Sequence, residues 1–299
     1  MTSVAWLWIP ITLWAAFAQT VRNAAQRHLT AELGTLGATL VRFLYGLPFA
    51  ALWLFLVQGF SAAAAPRANA GFVSWVVVGA LSQIAATALL LRTMQARNFA
   101  VGVAYSKTEV LQVAVFALVL LGDPITVPTA AAVVLGTLGV MFLSPGWLSG
   151  WTSRTALLGL ACGALFALSA VGFRGATLAL PGTPFLMAAA CTLLAAQCLQ
   201  TVLLGGWLLL RDPEVVRRVL RAWRVCLFAG FMGAAASAGW FTAFAIEPVA
   251  HVRTLGLIEL VFSYAVSRGF FRERLSRLEK CGMALLALGV AIITLAGMS

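Results

Sequence analysis

Long apolar runs alternate with short polar breaks along the whole chain. A helix needs about 20 mainly apolar residues to cross hydrocarbon, and ten stretches of that kind can be placed, at 5–25, 35–58, 72–92, 99–121, 127–144, 155–174, 184–208, 225–245, 249–267 and 281–297. The breaks between them are polar or rich in proline and glycine: Arg27-His28, Pro66-Arg67, Arg97-Asn98, Asp123-Pro124, Pro145-Gly146, Pro181-Gly182 and Glu247-Pro248. Two longer charged stretches, 211–224 and 268–280, read as loops. The runs are too long for barrel strands and do not alternate. Lipid offers no partner to an unpaired backbone group, so the pattern predicts an all-α integral membrane protein of ten transmembrane helices.

Composition agrees with the pattern. Apolar residues make up 62% of the 299 and charged residues only 10%, against about 25% charged in soluble domains. The net charge of +11 has a topological reading. Arg22, Arg27, Arg92, Arg97, Arg154, the five arginines of 211–224 and the five basic residues of 268–280 follow helices 1, 3, 5, 7 and 9, while Arg67 and Arg174 fall on the other side. Such a bias places the odd loops in the cytoplasm and both termini outside. It leaves no need for a nucleic-acid partner. Met1 to Trp8 lack the basic segment of a cleaved leader. The five cysteines lie in or beside apolar runs with no Cys-x-x-Cys pair, and read as packing residues. With two histidines and no His-Glu-x-x-His, no metal, cofactor or enzyme is expected.

The chain reads as two related halves, 1–147 and 148–299. At an offset of 150, Ala85-Ala86 falls on Ala235-Ala236, Glu109 on Glu259, Asp123 on Glu273, and Leu138-Gly139-Val140 on Leu288-Gly289-Val290. Acidic residues are scarce here, so the acidic matches weigh most. Five helices per half means that the second half enters the membrane from the opposite side. That is an inverted repeat, an architecture of secondary transporters with the substrate site near the midplane.

Ionisable groups within spans are costly and tend to face a cavity or a partner. Helix 4 carries Tyr105, Lys107 and Glu109; helix 9 carries His251, Arg253 and Glu259; helix 2 carries Arg42. Tyr105 and Glu109 share a face at a spacing of four, and His251 and Glu259 lie on one stripe. Glu109 or Glu259 is expected to pair with Arg253 or Lys107 from the other half. Trp14 and Trp240 lie deep enough to line the same cavity. These nine residues are the candidates for solute or proton binding, with a static ion-pair network as the rival role.

The two halves resemble the EamA-type repeats of the drug/metabolite transporter superfamily over nearly the whole chain. The motifs are Leu121-Gly122-Asp123-Pro124 followed by Leu135, Gly136, Leu138, Gly139 and Val140, and Phe271-Arg272-Glu273-Arg274-Leu275 followed by Gly282 and Leu288-Gly289-Val290. Arg42 is similar to an arginine often found in helix 2 of the first repeat. Family members usually have proline where this chain has Glu109 and Glu259. The resemblance implies alternating-access export of small polar metabolites, amino-acid-like or related, across a bacterial inner membrane, with proton coupling open. The alternative is a passive channel or facilitator. The resemblance also implies cytoplasmic termini, opposite to the charge bias.

Overall fold

The first apolar run continues straight through the polar break at Arg27-His28. In the computed structural model, which describes residues 5–61, 66–96, 109–143, 154–262 and 277–296, helix α1 spans Trp8–Leu44 and departs from helical geometry only at Gly34 (φ 70°, ψ 173°). That conformation is open essentially to glycine alone. After a turn at Tyr45-Gly46, α2 covers Leu47–Ser61. Pro48 sits in its first turn, where a missing N–H is tolerated.

Helices α3 (Ala70–Ala96), α4 (Glu109–Leu121), α5 (Val127–Leu143) and α6 (Arg154–Leu178) follow. Helix α7 (Phe185–Gln200) widens into a π turn at Thr201–Gly205 and continues as α8 (Gly206–Arg211). Then come α9 (Pro213–Arg221), α10 (Trp223–Ile246), α11 (Val249–Leu255) and α12 (Arg277–Ala296). Residues 258–262 are helical again between the last two. The described residues contain no strand.

Two segments correct the sequence reading. The stretch 211–224 is not simply a loop, because α9 lies within it. Asp212 caps that helix by accepting from the Val215 N–H, and Pro213 opens it. Glu214 stands in its first turn and Arg218 and Arg221 in its last, the signs its dipole favours. Val215, Val216 and Val219 bury its inner face. The stretch 249–267 is not one continuous helix either. At Gly256-Leu257 the backbone bonds shift to a three-residue spacing, from Leu257 to Thr254, Glu259 to Gly256 and Leu260 to Leu257. Gly256 makes room for Trp240: a Cβ there would stand 2.7 Å from the indole edge. His251 and Glu259 therefore do not share one straight stripe.

Five helical stretches are long and apolar enough to cross a membrane: Trp8–Phe60, Ala70–Arg92, Leu157–Leu178, Phe185–Arg211 and Trp223–Ile246. Shorter apolar helices occupy Glu109–Leu121, Val127–Phe142 and Cys281–Ala296. The surface is apolar, with Phe60 89% and Phe55 71% exposed, while Arg22 and Glu259 are fully buried. This inside-out distribution suits a chain whose solvent is lipid, and it belongs to a multi-pass membrane protein.

Three pairings dominate the packing: α1 along α10, α3 along α6, and α5 along α12. Small residues bring the backbones together. On α6, a Cβ at Gly172 would stand 2.8 Å from the Gly79 nitrogen of α3. On α5, one at Gly139 would stand 2.8 Å from the Gly282 carbonyl of α12. Gly172→Ala is expected to cost about 1–3 kcal/mol through backbone overpacking, seen as a lower unfolding temperature of the purified protein. Gly206→Ala, which meets open space, is the control. Equal losses at both sites would show that the close approach is not the cause.

Candidate functional site

Helix α1 presents Gln19, Arg22, Asn23 and Gln26 at helical spacing, and all but Gln19 are fully withdrawn from the surface. Gln26 is held by the Ala38 carbonyl across the Gly34 bend, with Nε2 donating at 2.7 Å. Asn23 Nδ2 and Gln19 Nε2 donate to the two oxygens of Glu259, at 3.0 and 2.7 Å. The amide orientations follow from their other partners. Trp240 Nε1, a donor only, gives its hydrogen to Gln19 Oε1 at 2.9 Å. Arg22 Nη2, also a donor only, gives one to Asn23 Oδ1 at 2.6 Å. Each amide is thus turned so that its NH2 faces Glu259.

Arg253 sits on the other side of Trp240. Its Nη1 lies 3.2 Å from Glu109 Oε1, and both side chains are buried. Its guanidinium stacks 4.6 Å from the Trp240 ring centre and 5.2 Å from that of Phe244, cation–π distances. Among the cross-half pairings open to the two glutamates, the structure contains Arg253 with Glu109. Arg42 donates to hydroxyls rather than to carboxylates: Thr87 Oγ1 at 3.0 Å and Ser237 Oγ at a long 3.5 Å. The stems of Arg22 and Arg42 both pass over Gly233 of α10, where a Cβ would meet them at 3.4 and 3.3 Å. Arg22, Arg42 and Arg253 are close enough to repel one another.

A second network meets the first only at Phe244, whose ring faces Arg253 and whose carbonyl accepts from Arg174. Arg174 forks onto Asp123, with Nε to Oδ2 at 2.9 Å and Nη2 to Oδ1 at 3.2 Å. Its Nη1 donates to the carbonyls of Phe244 and Glu247 at 2.7 Å each, a cation at the C-terminus of α10. His251 bonds Glu247 through Nδ1 at 2.6 Å and Thr129 through Nε2 at 2.8 Å. Both ring nitrogens are used in joining α11 to the end of α10 and to α5, so His251 is a structural tie in this conformation.

Three positions correct the sequence reading. Arg22 belongs to the buried cluster and not to a loop, and Arg174 to a buried clamp on α6. Removing one from each side of the topological tally leaves the direction of the bias unchanged. Trp14 is half exposed and lines an apolar cavity of about 540 Å³ with Phe49, Trp53, Leu193 and Phe231, rather than the charged cluster. Lys107, Tyr105 and Glu273 lie outside the described residues. Gln19, Arg22 and Asn23 were absent from the sequence candidates, although their spacing within an apolar run was the signal that one face looks inward.

No family model matches the chain, and no curated protein matches it. Its fold does match that of a solved chain described only as a crystal structure of a protein, with a TM-score of 0.68 and 17% identity, over 99% of this chain and 98% of the other. The likeness is one of fold.

Arg253→Met strands Glu109 in the core and is expected to cost about 3–5 kcal/mol. Adding Glu109→Leu should return most of that loss, because the pair is removed together. Thermal unfolding of the purified variants checks this, and strictly additive losses would show that the pair is not coupled.

Proposed function

We propose that the protein is a secondary transporter of small polar metabolites, working by alternating access between two inverted five-helix halves in a bacterial inner membrane. The observation that carries the reading is the occluded polar cluster built from both halves: Gln19, Arg22, Asn23, Arg42 and Glu109 from the first, Trp240, Arg253 and Glu259 from the second. Charged groups withdrawn from lipid and gathered between halves mark a solute or ion pathway. Their burial in this conformation favours a gated carrier over an open pore.

Ten crossings are supported by length. The stretch Trp8–Phe60 holds 53 residues, about 80 Å of helix, more than twice a hydrocarbon core of about 30 Å. Broken at Gly34, it reads as two crossings. The inverted repeat is supported by the packing. An offset of 150 carries α1 onto α6 and α3 onto α10, so the α1–α10 and α6–α3 pairings are one contact seen from each half. The same offset carries α5 onto α12, whose pairing maps onto itself. A two-fold relation between the halves has this signature. The arrangement of motifs also fits the drug/metabolite transporter superfamily.

Glu259, with amide donors on both oxygens, is assigned to a proton or to a cationic group of the solute. Extracellular metabolite profiling tests the reading in cells producing the wild type, Glu259→Gln or neither, at matched membrane abundance. One solute class is expected to rise outside with the wild type and to fall about tenfold or more with Glu259→Gln, the loss of one charge-assisted contact. Three indistinguishable profiles would overturn export.

A further inference from the structure

Among the described residues the central cluster is not balanced in charge. Arg22, Arg42 and Arg253 face only two buried carboxylates among the described residues, Glu109 and Glu259. Those carboxylates are already engaged: Glu109 by Arg253, Glu259 by the amides of Gln19 and Asn23. The hydrogen-bond acceptors left to the other two arginines are neutral, although the Glu259 carboxylate lies close enough to Arg22 to offset part of its charge. Arg22 has the Asn23 amide oxygen, and Arg42 has two hydroxyls. Arg22 Nε and Nη1 and Arg42 Nε are buried and find no hydrogen-bond partner among the described residues. A buried guanidinium carries five donors in a planar fork, and its usual complement is an oxyanion with paired oxygens. The two stems straddle Gly233, so the free donors of both arginines belong to one neighbourhood.

We propose that the solute carries a carboxylate, and that Arg22 and Arg42 take it between them. The assignment rests on the transporter reading and deepens it. A singly charged carboxylate matches the excess of one positive charge among the described residues and offers the paired oxygens that the unfilled donors call for, whereas a phosphate dianion would overshoot that excess. Glu259, joined to Arg22 through the Asn23 amide, is then placed for the ammonium of a zwitterion. The glycine at 233 keeps the space between the two stems free of a side chain.

Purified protein in detergent is heated with millimolar L-alanine, L-glutamate, L-lactate, inorganic phosphate or ethanolamine. At least one carboxylate is expected to raise the unfolding temperature by about 2–4 °C, and ethanolamine to leave it unchanged. Arg42→Gln should abolish the shift, and Arg42→Lys, which keeps the charge without the fork, should weaken affinity about tenfold or more. If Arg42→Gln does not fold, Arg22→Lys supplies the same comparison. No shift with any carboxylate, a shift with phosphate alone, or an undiminished shift in the arginine variants overturns the proposal. The profiling experiment separates the two readings. A released solute class that lacks a carboxylate overturns this inference and leaves transport standing. Carboxylate binding without any release does the reverse.

Discussion

A guanidinium withdrawn from water must find its countercharge and its acceptors within the protein, and Arg253 shows how much follows from that requirement. It stands on α11, a helix of seven residues, and is fixed by the Glu109 carboxylate from α4 and by two aromatic faces from α10. Holding the Trp240 ring against Arg253 also sets the direction of its indole N–H. That hydrogen turns the amide of Gln19, and the turned amide addresses Glu259. One ion pair thereby fixes the orientation of a chain of side chains reaching from the second half of the molecule into the first. The energy of a buried pair against apolar residues is close to neutral, but breaking one is costly. The pair is thus better understood as specifying this arrangement than as supplying net stability.

Helix α10 is the element on which both functions of the core converge. Its glycines let α1 and the turn after it approach closely: a Cβ at Gly239 would stand 2.8 Å from that of Ala15, and one at Gly230 would collide with Tyr45. The same helix supplies Ser237 to Arg42 and Trp240 to Arg253. At its end, Arg174 and His251 hold the Phe244 and Glu247 positions to α6, α5 and the Asp123 turn. These end contacts use somewhat more exposed groups than the centre does, and they fasten the helix without drawing on the central donors.

The apolar runs made the helices legible, because lipid enforces helical backbone wherever such a run is long enough. Boundaries were less legible, and for a specific reason. A charge ends an apolar run in a count of hydropathy, yet Arg22 and Arg174 lie well inside their helices. What distinguishes a charge at a helix end from one facing the core is the company it keeps at three and four residues. Gln19, Asn23 and Gln26 supply that company for Arg22, and hydropathy alone passes over it. The gap expected between 25 and 35 does contain the break, but its place at Gly34 rather than at Arg27-His28 was not legible, since Gly37, three residues later, stays helical. By contrast α9 was signalled openly by Asp212, Pro213 and Glu214, and was overlooked because its nine residues are polar outside. Arg42, Glu109, Arg253, Glu259 and Trp240 were singled out by their chemistry alone, and the structure brings them to one buried region. A cross-half pairing of a glutamate with Arg253 or Lys107 was legible, but which glutamate Arg253 takes was not, since that depends on where α4 and α11 meet.

The charge imbalance bears on how such a core would operate. An occluded state with an unmatched guanidinium is costly, because burial removes the water that would otherwise pair it. A bound carboxylate supplies the missing acceptors and charge, so it stabilises the occluded state by its differential affinity for that state over the open ones. If the protein is a carrier, passage through occlusion would then be easier when it is loaded than when it is empty. The network around Arg253 keeps its own charge balanced in either case, through Glu109. On the proposed reading the cluster divides: Arg253, paired with Glu109, would belong to the scaffold, while Arg22 and Arg42 would make closure conditional on what is bound.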